Sequence, residues 1–261
     1  MSDRVVVETD GAVARVRLNR PDKLNALDLA MFSALADSAE RIAADRRIRA
    51  VVLCGAGRAF CSGIDLGAFA KGPEVAASLL QPAGAGPATR AQAAAMVWRD
   101  LPQPVIAALH GQVFGGGLQI ALGADLRIGA PDAQLSIMEI RWGIIPDLGG
   151  SQTLRGLVAQ DQAKLLIFTG EILSGRQALE INLLTRLADD PLAEAMALAR
   201  TIAMQSPDAI RAAKRLLNEA WVGSVADGLR LEAALQRTLL GSPNQAEAVR
   251  ANLERREPNF S

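Results

Sequence analysis

Residues 104–129 read Pro104-Val105-Ile106-Ala107-Ala108-Leu109-His110-Gly111-Gln112-Val113-Phe114-Gly115-Gly116-Gly117-Leu118-Gln119-Ile120-Ala121-Leu122-Gly123-Ala124-Asp125-Leu126-Arg127-Ile128-Gly129. The run Pro104–Leu109 is continuously apolar and of strand length, the pattern of a strand covered on both faces. After Gly111 come a glycine turn, a short apolar helix and, at Leu126–Gly129, another strand. Ala50–Cys54 is a second continuous apolar run, closed by Gly55-Ala56-Gly57. Nearer the start, Val5–Glu8 and Val13–Leu18 flank Asp10-Gly11, a hairpin signal, and the alternation over 13–18 suits a half-exposed strand. From Asp28 to Ala44 the apolar positions Met31, Leu35, Ala39 and Ile42 recur at helical spacing, with Asp28 placed as the N-cap. Residues 67–90 hold Gly72, Pro73, Pro82, Gly84, Gly86 and Pro87, which predicts a loop or broken helix serving as a lid, a binding loop or mobile surface. Helical patterning dominates from Leu148 to Phe168 and from Pro191 to Leu240, broken at Ser174, Pro191 and Ser206-Pro207. A strand-rich first half and a helical end predict an α/β protein with a helical C-terminal extension. No internal repeat can be counted.

The chain has 261 residues, with 28 Lys+Arg against 28 Asp+Glu, so its formal charge is zero. That balance leaves no basic footprint for nucleic acid, and a half-hydrophobic composition argues against disorder. No apolar run approaches the ~20 residues of a membrane span, and the start lacks the apolar segment of a signal peptide. A cytoplasmic protein is expected. Cys54 and Cys61 are too few for a disulfide scaffold or a four-ligand zinc site and read as buried free thiols, so no metal is expected. With a single His (His110), two Cys and no Tyr, few residue types other than carboxylates remain for proton transfer.

Three stretches could carry chemistry. Ala59-Phe60-Cys61-Ser62-Gly63-Ile64-Asp65-Leu66 follows an apolar strand and a glycine turn, where open α/β sheets place their clefts. Gly115-Gly116-Gly117 follows the other buried strand and opens a helix, so its backbone can approach a ligand closely. Each alone fits a plain turn or tight packing; together they could supply a two-donor oxyanion hole. A nucleotide-phosphate loop is disfavoured, because neither the Gly-Lys-Ser/Thr signature nor the full dinucleotide fingerprint is present. In the third stretch, Leu135 to Gly150, Glu139 and Asp147 stand in apolar, glycine-punctuated surroundings. Burial without a partner would raise them toward neutrality, as a general acid or base requires. The alternatives are a salt bridge, for example to Arg141, or a helix cap at Asp147 ahead of Leu148.

Together these stretches resemble the enoyl-CoA hydratase/isomerase (crotonase) family. The resemblance begins at Leu18-Asn19-Arg20-Pro21-Asp22-Lys23-Leu24-Asn25-Ala26-Leu27 and runs through all three stretches. It continues at Ser206-Pro207 and Lys214, and is poorest around residues 70–95. It implies a spiral core of ββα units over residues 1–190 holding an acyl-CoA site. A helical trimerisation region over 191–261 would follow, with assembly as a homotrimer or homohexamer. The implied substrate is an acyl-CoA thioester, with CoA part of the substrate and no separate cofactor. By position, the N–H groups of Ile64 and Gly116 would hold the thioester oxygen. Ser62, Ile64, Asp65 and Leu66 would line the adenine pocket, and Lys23 would either approach the CoA phosphates or remain a solvated lysine.

The family's hydratases use two glutamates. Here Glu139 stands at the second position and Gln119 at the first, where a glutamine can hydrogen-bond a water but cannot take up a proton. The family's isomerases work with one carboxylate at the Glu139 position, and the dienoyl-CoA isomerases add an Asp at the place of Asp147. A related dehalogenase places a nucleophilic Asp there, together with a histidine this chain lacks at that place; His110 reads as structural. Met138, Trp142 and Phe114 read as pocket or core packing. The resemblance therefore favours double-bond isomerisation of an enoyl- or dienoyl-CoA over hydration. The alternatives are a hydrolase or dehalogenase with Asp147 as nucleophile, and a non-catalytic acyl-CoA binder. The end, Arg255 to Phe260, resembles a tail that can reach a neighbouring subunit's CoA site, with Ser261 where some relatives carry a lysine.

Overall fold

The computed structural model describes residues 3–69 and 72–261. Asp10-Gly11 turns the chain between β1 (Val5–Asp10) and β2 (Val13–Leu18), which pair antiparallel with Val5 opposite Leu18. Helix α1 (Leu29–Ala44) is capped by the Asp28 carboxylate, which accepts from the Met31 N–H at 2.9 Å. It buries Met31, Leu35, Ala39 and Ile42, the positions its periodicity singled out. Next comes β3 (Ala50–Gly55), parallel to β2. The proline- and glycine-broken segment forms two short helices, α2 (Leu66–Phe69) and α3 (Pro73–Leu79). A capping box between Thr89 and Gln92 then opens α4 (Arg90–Asp100).

The central stretch folds as β4 (Val105–Leu109), β5 (Gln112–Phe114), α5 (Gly116–Leu122), β6 (Leu126–Gly129) and β7 (Gln134–Ser136). Helices α6 (Gly150–Thr153) and α7 (Gln160–Thr169) follow, so the helical pattern of 148–168 is interrupted between them. Then come β8 (Leu173–Ser174), α8 (Gly175–Glu180) and β9 (Arg186–Leu187). Four helices complete the chain: α9 (Pro191–Ala203), α10 (Pro207–Ala220), α11 (Val225–Leu239) and α12 (Pro243–Glu254). Among the described residues no helix is long and apolar enough to cross a membrane.

The strands form a six-stranded sheet, β1-β2-β3-β4-β6-β9, parallel from β2 onward, and a three-stranded sheet, β5-β7-β8. After β4 the chain crosses to β5 and into α5; after β6 it crosses to β7 and into helices. The segment after β3 does the same in miniature, since Cys61 pairs parallel with Val113 of β5. This strand-strand-helix repeat escapes the sequence because each second strand is three residues or a single bridge, too short to print a period.

One core lies between the two sheets and α1, α4 and α5. On the other face of the large sheet, Ala195, Met196, Ala199 and Ala203 of α9 cover Val13, Ala50, Val52, Ile106 and Ile128. Strands β3 and β4 are thus buried on both faces, which is why their sequences do not alternate. Helix α10 is pinned through Lys214, whose Nζ lies 2.7 Å from the Asp125 carboxylate and donates to the carbonyls of Trp98 and Gln103. The tail docks on its own chain. Phe260 is buried, its carbonyl accepts from Arg49 at 2.6 Å, and the Ser261 N–H donates to Asn244.

Helix α5 meets the Cys61 turn with almost no space between them. A Cβ on Gly117 would fall 2.6 Å from the Cys61 carbonyl oxygen and 2.7 Å from its Cβ. Both neighbours are held in the β5 pairing and cannot retreat. Gly117→Ala is therefore expected to destabilise the protein by about 1–3 kcal/mol, the range for overpacking a tight core. Urea unfolding midpoints at equal slope would measure this.

Candidate active site

The turn after Cys61 is held by backbone hydrogen bonds to the segment before α1. Ser62 N–H donates to the Leu24 carbonyl at 2.9 Å, Leu27 N–H to Gly63 at 2.8 Å, and Asp65 N–H to Leu27 at 3.0 Å. In this parallel pattern Leu27 bonds to the neighbours of Ile64, so the Ile64 N–H faces the other way. There it meets the start of α5. Gly63 adopts φ +93°, and a Cβ on it would lie 2.9 Å from the Phe114 carbonyl oxygen and 3.8 Å from the Gly116 nitrogen. Neither the Ile64 nor the Gly116 N–H donates to a protein acceptor among the described residues. Two free backbone donors in adjoining turns are the geometry of an oxyanion hole.

Polar residues of the 18–27 stretch hold this arrangement. Asn25 is fully buried, and its Nδ2 donates to the carbonyls of Ala56, Ala59 and Phe60 while its Oδ1 accepts from Arg20 N–H. The Arg20 guanidinium lies 2.6 Å from the Asp65 carboxylate and 3.7 Å from that of Asp28. Asp65 is thereby tied to the segment that follows β2. Ser62 and Leu66 line a cleft beside the turn, while Lys23 ends an exposed 3-10 turn. Neither thiol is poised for chemistry: burial raises Cys54 to about 11 and Cys61 to about 12. The His110 ring bonds the Gly57 carbonyl at 2.9 Å, a structural tie away from the carboxylates.

Glu139 opens a 3-10 turn after β7 and is only 5% exposed. Its Oε1 accepts from Gln119 Nε2 at 2.6 Å, and its buried Oε2 has no hydrogen-bond partner. Arg141 does not pair with it; that guanidinium donates to the Gly170 carbonyl at 2.7 Å. Asp147 caps no helix, since α6 begins at Gly150 with Gly149 as its cap. Burial raises both carboxyls above their ordinary values, and the Asp147 charge raises Glu139 further while the Gln119 hydrogen bond acts against the rise.

Gln119 requires a correction. Its position in the resemblance makes it a substrate-binding residue able to hydrogen-bond a water, but it is fully buried and its amide is already engaged: Oε1 accepts from the N–H groups of Leu148 (2.9 Å) and Gly150 (3.1 Å), and Nε2 donates to Glu139. The helix geometry of α5 points this side chain into the core between two loops, where no surface is left for solvent.

The free amides, Glu139 and Asp147 share one cleft of about 720 Å³. Its remaining wall is apolar, supplied chiefly by Leu66, Leu79, Met138, Trp142, Ile144 and Ile145. Among the described residues no three His, Cys, Asp or Glu side chains come together as a metal site requires. The profile of the enoyl-CoA hydratase/isomerase family matches residues 8–261. The chain belongs to that family. It is 32% identical over 264 residues to a Mycobacterium tuberculosis protein named probable enoyl-CoA hydratase, covering 99% of this chain and 98% of that one. It is 33% identical over 259 residues to the human mitochondrial Delta(3,5)-Delta(2,4)-dienoyl-CoA isomerase, covering 94% of this chain and 77% of the relative. The crystal structure of enoyl-CoA hydratase from Bacillus anthracis superposes with a TM-score of 0.91 at 30% identity, covering 98% of each chain. The fold is accordingly the crotonase fold, mixed α/β with a helical C-terminal region.

Within this family frame, sequence reading missed the supporting roles of Arg20 and Asn25. Their signal was a polar pair set between an apolar strand and a helix, in a segment quoted only for its resemblance.

The elevated Glu139 carboxyl has a consequence for stability. Its folded-state value lies above that of the unfolded chain, so the wild type loses stability as pH rises from the ordinary carboxylate range through the raised value. Glu139→Gln cannot ionise. It is expected to melt with the wild type near pH 4 and above it at neutral pH, the gap growing by up to about 1.4 kcal/mol per pH unit in between. Thermal unfolding across that pH range checks the sign.

Proposed function

We propose that this protein moves a carbon–carbon double bond within an unsaturated acyl-CoA, with Glu139 as the principal proton carrier and Asp147 as the second. The observation that carries this reading is the buried carboxyl of Glu139, its Oε2 without a hydrogen-bond partner, in the wall of the cleft that also holds two unpaired backbone amides. In the forward step a C–H bond of the acyl chain breaks and its proton passes to Glu139 Oε2. The electron pair moves through the conjugated system onto the thioester oxygen, where the Ile64 and Gly116 amides stabilise it. Return of that proton from Glu139 to a different carbon completes the shift with no net gain or loss; where a protonated Asp147 supplies the proton instead, the one taken up by Glu139 must pass to Asp147 before the next turnover. Burial keeps both carboxyls nearer neutrality than an exposed carboxylate, which suits groups that must both take and give a proton. CoA is part of the substrate and the scheme uses no other cofactor.

Hydration is the second reading, favoured by the names of relatives such as the Mycobacterium tuberculosis protein. Ultraviolet absorbance with purified protein and 2-enoyl-, 3-enoyl- and 3,5-dienoyl-CoA separates the two. Conversion of a 3-enoyl or 3,5-dienoyl substrate to the isomer conjugated with the thioester carbonyl is expected, reduced about 10²- to 10⁴-fold in Glu139→Gln. Hydration of 2-enoyl-CoA that survives Glu139→Gln would overturn the proton-carrier assignment. Release of free CoA with an acyl group on Asp147 would replace it by nucleophilic hydrolysis.

Assembly as a homotrimer or a pair of trimers is part of the same proposal. Its support is the apolar surface of the C-terminal helices: α11 buries none of its residues, and Trp221, Val225 and Leu253 are 77%, 82% and 81% exposed. Light scattering of the purified protein is expected to give the mass of three or six chains, and a monomer would refute it.

A further inference from the structure

Gln119 joins the two loops that carry the carboxylates. Its Nε2 binds Glu139 Oε1 on one side, while its Oε1 receives the N–H groups of Leu148 and Gly150, immediately after Asp147. The amide therefore bridges residues 139 and 148–150, and it does so from a fully buried position on α5. Gly150 leaves room for this. A Cβ there would fall 2.8 Å from Gln119 Oε1 and 3.2 Å from the Pro146 Cβ.

We propose that Gln119 is a positioning residue that acts on both carboxylates at once. By occupying Oε1 of Glu139 it leaves Oε2 as the carboxyl oxygen without a protein partner. By holding the 148–150 backbone it fixes where Asp147 enters the cleft. A glutamine suits this task because it offers a permanent donor and an acceptor with two lone pairs, and neither changes with pH. It also keeps solvent from the Oε1 side of Glu139, so a proton removed from carbon is retained for return to carbon. This last consequence rests on the proton-shift reading above; the clamp itself does not.

The test reads the clamp and the chemistry separately. Carbon-13 NMR titration of the Glu139 carboxyl reports the clamp without substrate. Gln119→Met, similar in length but without polar atoms, removes a donor that favours the charged form, so Glu139 is expected to titrate at higher pH than in the wild type. With an acyl-CoA that the wild type turns over, kcat of Gln119→Met is expected to fall about 10- to 100-fold, the span for losing a hydrogen bond to a charged group. KM should stay within about twofold, and the acid limb of the pH profile should move upward with the titration. A role confined to folding would lower the active fraction or the melting temperature and leave both midpoints in place.

Gln119→Glu covers the case in which the methionine variant does not fold, since a carboxyl can still accept from Leu148 and Gly150. It donates to Glu139 only while the pair holds a proton. A descending limb absent from the wild type should therefore appear on the alkaline side. An unshifted Glu139 midpoint in folded Gln119→Met, or a Gln119→Glu profile that matches the wild type, would overturn the proposal. A wild-type protein inactive on every acyl-CoA while the Gln119→Met midpoint still moves would remove the proton-shift reading and leave the clamp standing.

Discussion

Where Cys61 pairs with Val113, two backbone turns come closer than side chains on both of them would allow, and the site depends on that contact. Three residues beyond each partner stand Ile64 and Gly116, so one bridge sets the positions of both free amides. The contact is maintained from two sides. Gly117 admits the Cys61 backbone, and Asn25 gathers the carbonyls of Ala56, Ala59 and Phe60 so that the turn cannot relax outward. Backbone amides are poor recognition elements when mobile; held by buried, satisfied hydrogen bonds they present donors without reorganisation when charge appears on an oxygen.

The electrostatics of the core show which charges serve the fold. Arg20 meets Asp28 and Asp65, Lys214 meets Asp125, and the buried Arg127 donates to the carbonyls of Leu183 and Ala124. Burial pushes Asp125 up and Lys214 down, but each has the other's charge to act against that effect. Glu139 and Asp147 have no cation among the described residues. For a structural charge that would be an uncompensated penalty. For a proton carrier it is a requirement, because a paired arginine would hold the carboxylate ionised and strip it of basicity.

Much of the fold was legible because single features had single local causes. Asp10-Gly11 signalled the hairpin that joins β1 and β2, Asp28 stood where α1 is capped, and the unalternating runs of β3 and β4 fitted cover on both faces. Glu139 and the two glycine-bearing turns were open to plain structural readings one by one, and only the family resemblance of the three stretches in order singled them out. What was not legible depended on partners distant in sequence. Gln119 read as a residue that could face water, since nothing in its neighbours discloses that Leu148 and Gly150 fill its oxygen. Asp147 read equally as a cap, because the start of α6 at Gly150 is set by Gly149 at φ +87° rather than by any acidic signal. The short strands β5 and β7 carried no period at all.

Unpaired backbone amides are compatible with uncompensated carboxylates in one cleft where a cation would not be. A lysine or arginine in the place of those amides would stand in the same cleft as Glu139 and Asp147. Like charges are discouraged there already, since the Asp147 charge raises Glu139; an added cation would reverse the sign and leave both groups too acidic to take a proton from carbon. Amide dipoles stabilise developing negative charge at short range and add no net charge to perturb the carboxyls. The balance of 28 basic and 28 acidic residues gives the surface no net pull on an anionic ligand. What the cleft offers is therefore local geometry, and the glycines that let its two turns approach constrain the chain as strictly as the carboxylates do.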